Sequence, residues 1–281
     1  MKKSMMMAVS AAVMLMSASA LANEYPLTHP FYTPDKGQGI SQTAYRYSEC
    51  KAKSNDAKGL LGFKKIKSNR ENEDYAYGLT NKWTLDLGYE HFYDKGKGKM
   101  YPEVSDDDVK TTSWYIGFSN KMVDNGKTFL KGSFDYFQRY GDVVENGQDK
   151  GFDLAVLYGV KGGWADPYVR LQYTNTINRG SDNDGTGEVL LGFYKQFSRK
   201  FASNLAFSYS QSTDRIKDKY TEASLDFRYA FTAKQALILG FATQLADDQK
   251  SQDIVLATGT DKVNFKSKSR NRVFVSYVTT F

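Results

Sequence analysis

The chain ends in the stretch Asn271-Arg-Val-Phe-Val-Ser-Tyr-Val-Thr-Thr-Phe281, in which two kinds of residue alternate. A β-strand points successive side chains to opposite faces, so every second residue shares a face. The face that can sit against an apolar phase carries Val273, Val275, Tyr277, Thr279 and Phe281. The stretch therefore predicts a terminal strand with one apolar face, ending on an aromatic ring.

The same alternation recurs along the chain in segments of about ten residues, which is long enough for a tilted strand to cross a bilayer. The clearest example spans residues 219–231, where Leu225, Phe227 and Tyr229 oppose Asp226 and Arg228. The predicted strands are 40–50, 71–79, 83–93, 111–121, 128–140, 151–160, 166–176, 187–197, 201–212, 219–231, 235–246 and 271–281.

The connections between these strands alternate between short and long. The short ones are 80–82, 122–127, 161–165, 198–200 and 232–234. The long polar ones are 51–70, 94–110, 141–150, 177–186, 213–218 and 247–270. Short turns on one rim and longer loops on the other are typical of outer-membrane barrels. With an even strand count, both termini lie on the short-turn, periplasmic side.

Hydrocarbon offers no hydrogen-bond partner to an open sheet edge, so the last strand must pair with the first. The sequence therefore predicts an all-β fold, a transmembrane antiparallel up-and-down β-barrel of about 12 strands over residues 40–281. Aromatic residues near both predicted rims match membrane-interface girdles. The alternative is a secreted β-sandwich whose apolar face points inward. A richly aromatic apolar face, opposed by Gly, Ala, Ser and charged residues, favours the barrel.

The ending resembles the terminal strand of Gram-negative outer-membrane, porin-like β-barrels, in which a final Phe after alternating apolar residues acts as an assembly signal. The resemblance implies location in the bacterial outer membrane. It also implies contacts with outer-membrane lipids and lipopolysaccharide, and with the barrel-assembly machinery. It identifies the class of protein and not the subfamily.

Two segments precede the predicted barrel. Residues 1–22 combine Lys2 and Lys3, an apolar run and the small-residue site Ala20-Leu21-Ala22, which predicts a secretory signal peptide. An N-terminal membrane anchor is the alternative, but the run is too short to span comfortably. Residues 23–39 contain three prolines and are predicted to be an extended periplasmic lead that can enter the lumen.

Composition excludes several functions. The chain has 38 Lys and Arg against 32 Asp and Glu, a net charge of +6 that falls to about +4 without Lys2 and Lys3, too small and dispersed to indicate nucleic-acid binding. Cys50 is the only cysteine, so no internal disulfide forms. No catalytic, cofactor or metal motif is present, and no cofactor is expected. His29 is expected to be solvated, and His91 to be a rim residue because no serine or acid pairs with it.

The opposite strand face predicts a polar lumen that carries charges of both signs. The predicted pore-lining residues are Arg46, Asp74, Asp86, Glu90, Lys131, Asp135, Arg139, Asp153, Arg170, Glu188, Asp226 and Arg228. Opposed charges across a pore would orient hydrated solutes. The alternative is a lumen closed by salt bridges, since an unpaired buried charge is costly. Mixed signs argue against strong ion selectivity.

These features predict a channel for passive diffusion of small hydrophilic solutes, not an enzyme. One alternative is an outer-membrane barrel enzyme that hydrolyses lipids or peptides. The other is a structural or adhesive barrel with a closed lumen.

Overall fold

The fold consists of β-strands joined by turns. The computed structural model describes residues 25–55, 61–100, 103–141, 148–177, 184–213, 219–248, 252–256 and 259–281. The predicted signal peptide, 1–22, lies outside these residues. No helix in the described ranges is long and apolar enough to cross a membrane. The strands are β1 (Gly39–Asn55), β2 (Leu61–Gly78), β3 (Trp83–Met100), β4 (Glu103–Asp124), β5 (Thr128–Gly141), β6 (Gln148–Val160), β7 (Asp166–Ile177), β8 (Asp184–Gln196), β9 (Phe201–Ser212), β10 (Lys219–Thr232), β11 (Gln235–Asp248), β12 (Gln252–Leu256) and β13 (Gly259–Thr280).

Twelve of these strands close into an antiparallel barrel. Strands β1 to β11 pair in chain order, β13 follows β11, and β13 also pairs with β1. The closing register sets Ile40 opposite Thr280 and Tyr45 opposite Val275. Strand β12 stands apart because it pairs only with the first part of β13. The predicted all-β, twelve-stranded, up-and-down barrel is therefore confirmed.

At the short-turn rim, the C-terminal residue completes the pairing between the first and last strands of the barrel. Backbone N–H groups of Gly39 and Phe281 each donate to the other's carbonyl oxygen at 3.0 Å. Both ends of the barrel sheet therefore meet at the rim predicted to be periplasmic. The turn at Asn125-Gly126 lies on the same rim, within the predicted short connection 122–127, and Gly126 has the positive φ of 76° that an Asn-Gly hairpin requires.

The two faces of the sheet have the predicted chemistry. Large apolar side chains of one parity point outward, with Phe227 48% and Leu239 50% exposed. The opposite parity is buried, as at Ala206, Ala242 and Ser276. A soluble sandwich would reverse this pattern. The outer surface is therefore an apolar belt matched to lipid, and the inner surface is polar.

Several strands continue far beyond the length that a bilayer requires. The pairing of β3 with β4 runs on to Met100 opposite Glu103, and β1 with β13 to Asn55 opposite Asn264. The predicted loops at 51–70, 94–110 and 247–270 are therefore corrected to extended hairpins over much of their length. Outside the membrane neither face must be apolar, so the alternation that predicts a strand disappears while the backbone ladder persists.

Candidate functional site

The candidate site is the barrel lumen together with the lead, residues 25–38, which folds into its periplasmic end. Within the lead, His29 N donates to Pro26 O at 2.8 Å and Tyr32 N to His29 O at 3.0 Å. These turns drive Tyr25, His29 and Phe31 into the lumen, where each is at most 5% exposed. The predicted extended lead is therefore corrected to a compact, docked one.

One side of the lead is held by aromatic packing against β5 to β8. The Phe31 ring stacks on Phe129 at 4.9 Å between centroids, and Tyr25 meets Phe31 edge-on at 5.6 Å. Phe31 also lies against Gly159, where an added Cβ would come within 1.9 Å of the ring. Only glycine allows so close an approach, so β6 provides a slot for Phe31. With Tyr168, these rings fill this side of the mouth.

His29 fastens the lead to the start of β7. Its Nε2 lies 2.9 Å from Asp166 Oδ2, and its Nδ1 accepts a hydrogen bond from Phe31 N at 3.1 Å. An Nδ1 that accepts carries no proton, so this geometry requires the neutral tautomer that donates from Nε2. Burial lowers the pKa of His29 to about 4, although Asp166 acts to raise it and Arg228 and Lys161 act to lower it. His29 was expected to be solvated, and that expectation is wrong.

Arg228 fastens the opposite side of the lead to β10. Its Nε lies 2.5 Å from Asp226 Oδ1 and its Nη2 lies 3.1 Å from Asp226 Oδ2. Its Nη1 donates to the backbone oxygen of Thr28. The guanidinium therefore joins the lead to the barrel wall. Its charge is paired with Asp226, which offsets the desolvation cost of burying an arginine.

On the Arg228 side of the lead, the lumen contains open space. A vestibule of about 730 Å³ lies between the lead and the wall of β9, β10, β11 and β13 at the short-turn rim. A second cavity of about 520 Å³ lies beyond the lead, in the middle of the barrel. Both are lined by Leu27, Thr28, Tyr32 and Arg228, so these residues form the boundary between them.

A third cavity, of about 240 Å³, continues the series away from the rim. It shares Arg46, Asp74 and Tyr115 with the middle cavity. The three spaces therefore follow one another along the barrel axis, past the lead and towards the extracellular side.

The twelve residues predicted to line the pore all lie on inward-facing positions of the sheet. Arg46, Asp74, Asp86, Arg170, Asp226 and Arg228 line the middle cavity. Arg46, Asp74, Glu90, Arg139 and Asp153 line the third. The linings of the three cavities do not include Lys131, Asp135 or Glu188.

The two halves of the lumen differ in their balance of acidic and basic side chains. Strands β3, β5 and β6 carry one cross-strand row, because Asp86 pairs with Gly117, Gly117 with Asp135, and Asp135 with Asp153. Asp74 adds a fourth carboxylate on β2 and accepts a hydrogen bond from Tyr115 at 3.0 Å. These strands form the acidic half.

Arginines dominate the other half, where three of them pair with acids. Arg170 contacts Glu188 at 2.7 Å, Arg228 contacts Asp226 at 2.5 Å, and Arg272 contacts Glu222 at 2.5 Å. Arg46 on β1 completes the set of arginines and lines the middle cavity. Lys131 and Arg139 on β5 are cations within the acidic half, where Arg139 stacks over Phe137 at 4.5 Å.

Sequence reasoning missed three residues of this site. Arg272 and Glu222 have the inward parity of their strands, so the alternation pattern could have found both. His29 could not be found that way because the lead has no strand periodicity. The other histidine, His91, is paired across strands with Thr112, whose Oγ1 is 3.0 Å from His91 Nδ1.

Known proteins similar to this sequence are found among solved structures. No protein-family model matches it, and no curated protein matches it. Solved structures do match. An outer-membrane channel from Pseudomonas putida F1 is 14% identical, with a TM-score of 0.62 over 94% of this chain and 100% of that one.

Two further structures have the same architecture. The translocator domain of the autotransporter NalP from Neisseria meningitidis is 12% identical, with a TM-score of 0.56 over 100% of this chain and 95% of that domain. A FadL homologue from Pseudomonas aeruginosa is 8% identical, with a TM-score of 0.51 over 89% of this chain and 95% of that one. At these identities the likeness shows the fold.

The closed barrel, its apolar outer belt and these likenesses together define the class: the chain is a β-barrel of the Gram-negative outer membrane. The predicted class and location are thereby confirmed.

Proposed function

We propose that the protein is an outer-membrane channel for the passive diffusion of small hydrophilic solutes. The observation that carries this proposal is the series of three cavities, which share lining residues past the docked lead and of which the second and third are lined by charged side chains. A lumen made to be closed would fill this space with side chains, as the aromatic cluster does on the other side of the lead.

The separation of charge supports a polar solute. An acidic half opposite an arginine half creates a field across the lumen, and low-dielectric walls focus such a field. A hydrated solute with a dipole aligns in this field and exchanges its water for protein groups. A purely apolar solute would displace water from charged groups without compensation. The description of the P. putida structure as an outer-membrane channel agrees with the general class of function.

Conductance of the refolded full-length protein in a planar bilayer tests the proposal. Steady ohmic steps are the expected result. Silence, together with cleavage of lipid or peptide that His91→Ala abolishes, would instead favour the enzyme alternative. Silence without hydrolysis would favour the structural or adhesive barrel.

We also propose three sets of partners that follow from the class. Outer-membrane lipids contact the apolar belt, with lipopolysaccharide on the extracellular side. The barrel-assembly machinery binds the terminal strand, in which Phe281 follows outward-facing Tyr277 and Val275. Export would depend on residues 1–22 as a signal peptide, which mass spectrometry of the mature N-terminus tests.

A further inference from the structure

Among the residues that the structure describes, the vestibule is lined by cations and by no carboxylate. Arg228 lies at its inner boundary, and Arg199, Lys200 and Lys234 lie at the rim. The remaining wall is largely small or apolar and includes Ala202. The vestibule therefore combines positive charge with an apolar surface, unlike the mixed charges of the middle cavity.

Hydrogen bonds hold the backbones of two of the rim cations, Lys200 and Lys234, in place. Ser198 Oγ accepts from Lys200 N at 3.3 Å, and Thr232 Oγ1 accepts from Lys234 N at 3.1 Å. Lys234 O also accepts from Thr280 N at 2.9 Å. All three side chains are exposed, and within the described part of the chain none of them forms an ion pair.

The rest of the mouth carries acids as well as cations. On the β4–β7 side, Lys121 pairs with Asp124 at 3.1 Å, and Asp166 contacts His29. That side is also filled by the aromatic cluster around Phe31. A solute that enters from the periplasmic side therefore passes the Arg199–Lys200–Lys234 side, where the cations face the opening.

We propose that the vestibule is a binding site for small organic anions, in which a carboxylate or phosphate group is carried on a short apolar body. The inference rests on the proposed channel and adds the chemical class of solute that is concentrated at its periplasmic mouth. Exposed cations around a concave site raise the local concentration of anions. The small apolar wall accommodates the uncharged part of the molecule.

Binding is measured on the refolded full-length protein in neutral detergent, with 4-fluorobenzoate as the probe and fluorine NMR line broadening as the readout. The vestibule variant combines Arg199→Gln, Lys200→Gln and Lys234→Gln. The matched control combines Lys36→Gln, Lys82→Gln and Lys127→Gln, which removes the same charge from exposed side chains outside the vestibule. The uncharged probe 4-fluorobenzamide reports partition into detergent.

Removal of the three charges at the mouth, which are screened by solvent and salt, is expected to weaken binding of the anion roughly threefold. The control variant should keep wild-type binding, and the amide should broaden equally with all three proteins. Equal loss in both variants would assign the effect to general rim charge, as for lipid headgroups, and would overturn the proposal. Absence of benzoate-specific broadening would also overturn it.

Reversal potentials under a KCl gradient separate this proposal from the proposed function. Both proposals are supported if the wild-type protein conducts and prefers anions, and if this preference falls in the vestibule variant but not in the control variant. Conductance with benzoate binding that ignores the vestibule refutes only the inference. A silent bilayer with vestibule-dependent binding refutes free diffusion and keeps the anion site.

Discussion

Acidification should release the lead from the lumen, because His29 is docked in its neutral form. Its pKa falls from 6.5 to about 4 on burial, so the docked state binds fewer protons than the free lead between these values. Docking is therefore at full strength above pH 6.5 and weakens as the pH falls through 6.5 towards 4. Protonation also removes Nδ1 as the acceptor for Phe31 N.

The size of the effect follows from the two pKa values. At pH 5 a free histidine is almost fully protonated and the docked one is mostly neutral, so docking loses about 2 kcal/mol relative to neutral pH, or about thirtyfold in the docking equilibrium. The charged groups around the ring are Asp166, Arg228 and Lys161. Asp166 favours the charged ring, but burial and the two cations outweigh it.

A nitroxide label on Pro26→Cys, in a Cys50→Ser background, reports docking through its mobility in electron paramagnetic resonance. Pro26 is exposed within the docked lead, so the label should not disturb packing. The mobile fraction should rise between neutral pH and pH 5 in the wild-type lead, and His29→Gln should abolish this response. His91→Gln, which changes the other histidine, should keep it. A pH response that survives His29→Gln would show that protonation of His29 does not control docking.

Three other perturbations test separate parts of the structure. Gly159→Ala should expel Phe31 from its slot, remove roughly 2 kcal/mol of apolar burial from lead docking, and raise single-channel conductance; unchanged conductance and label mobility would contradict the slot. Leu239→Arg places a charge on the lipid-facing belt and should destabilise the barrel in vesicles by about 2–4 kcal/mol, measured by denaturant unfolding. The inward Ser224→Arg is its control, and equal losses would argue against the assigned sidedness. Phe281→Ala should slow assembly into outer membranes, measured by protease resistance over time. Wild-type kinetics in this variant would show that Phe281 does not act as an assembly signal.

The barrel could be predicted from sequence because its information is local. In segments such as residues 219–231, alternate residues face lipid, and that constraint appears as a period of two in the sequence. Closure followed from the cost of an open edge in hydrocarbon. The even strand number and the rim of each terminus then followed from the alternation of short and long connections.

The docked lead could not be predicted because its contacts join distant parts of the chain. His29 and Asp166 are 137 residues apart, and Arg228 reaches Thr28 across 200 residues. Neither pair belongs to a repeating pattern, and three prolines indicate only that the lead avoids a ladder. The long hairpins were missed for another reason, since polar residues on both faces of a solvated strand resemble those of a loop.

Water should reach the middle of the barrel past the lead, while the alternate residues of the strands face lipid. Single cysteines in a Cys50→Ser background test this with a small charged thiol reagent added to the protein in liposomes. Gln42→Cys lines the middle cavity and Ala230→Cys lines the vestibule, so both should react. Phe227→Cys and Leu239→Cys lie on the apolar belt and should stay unmodified. Modification of the belt positions with protection of Gln42→Cys would show that the belt does not face lipid and that water does not reach the middle cavity.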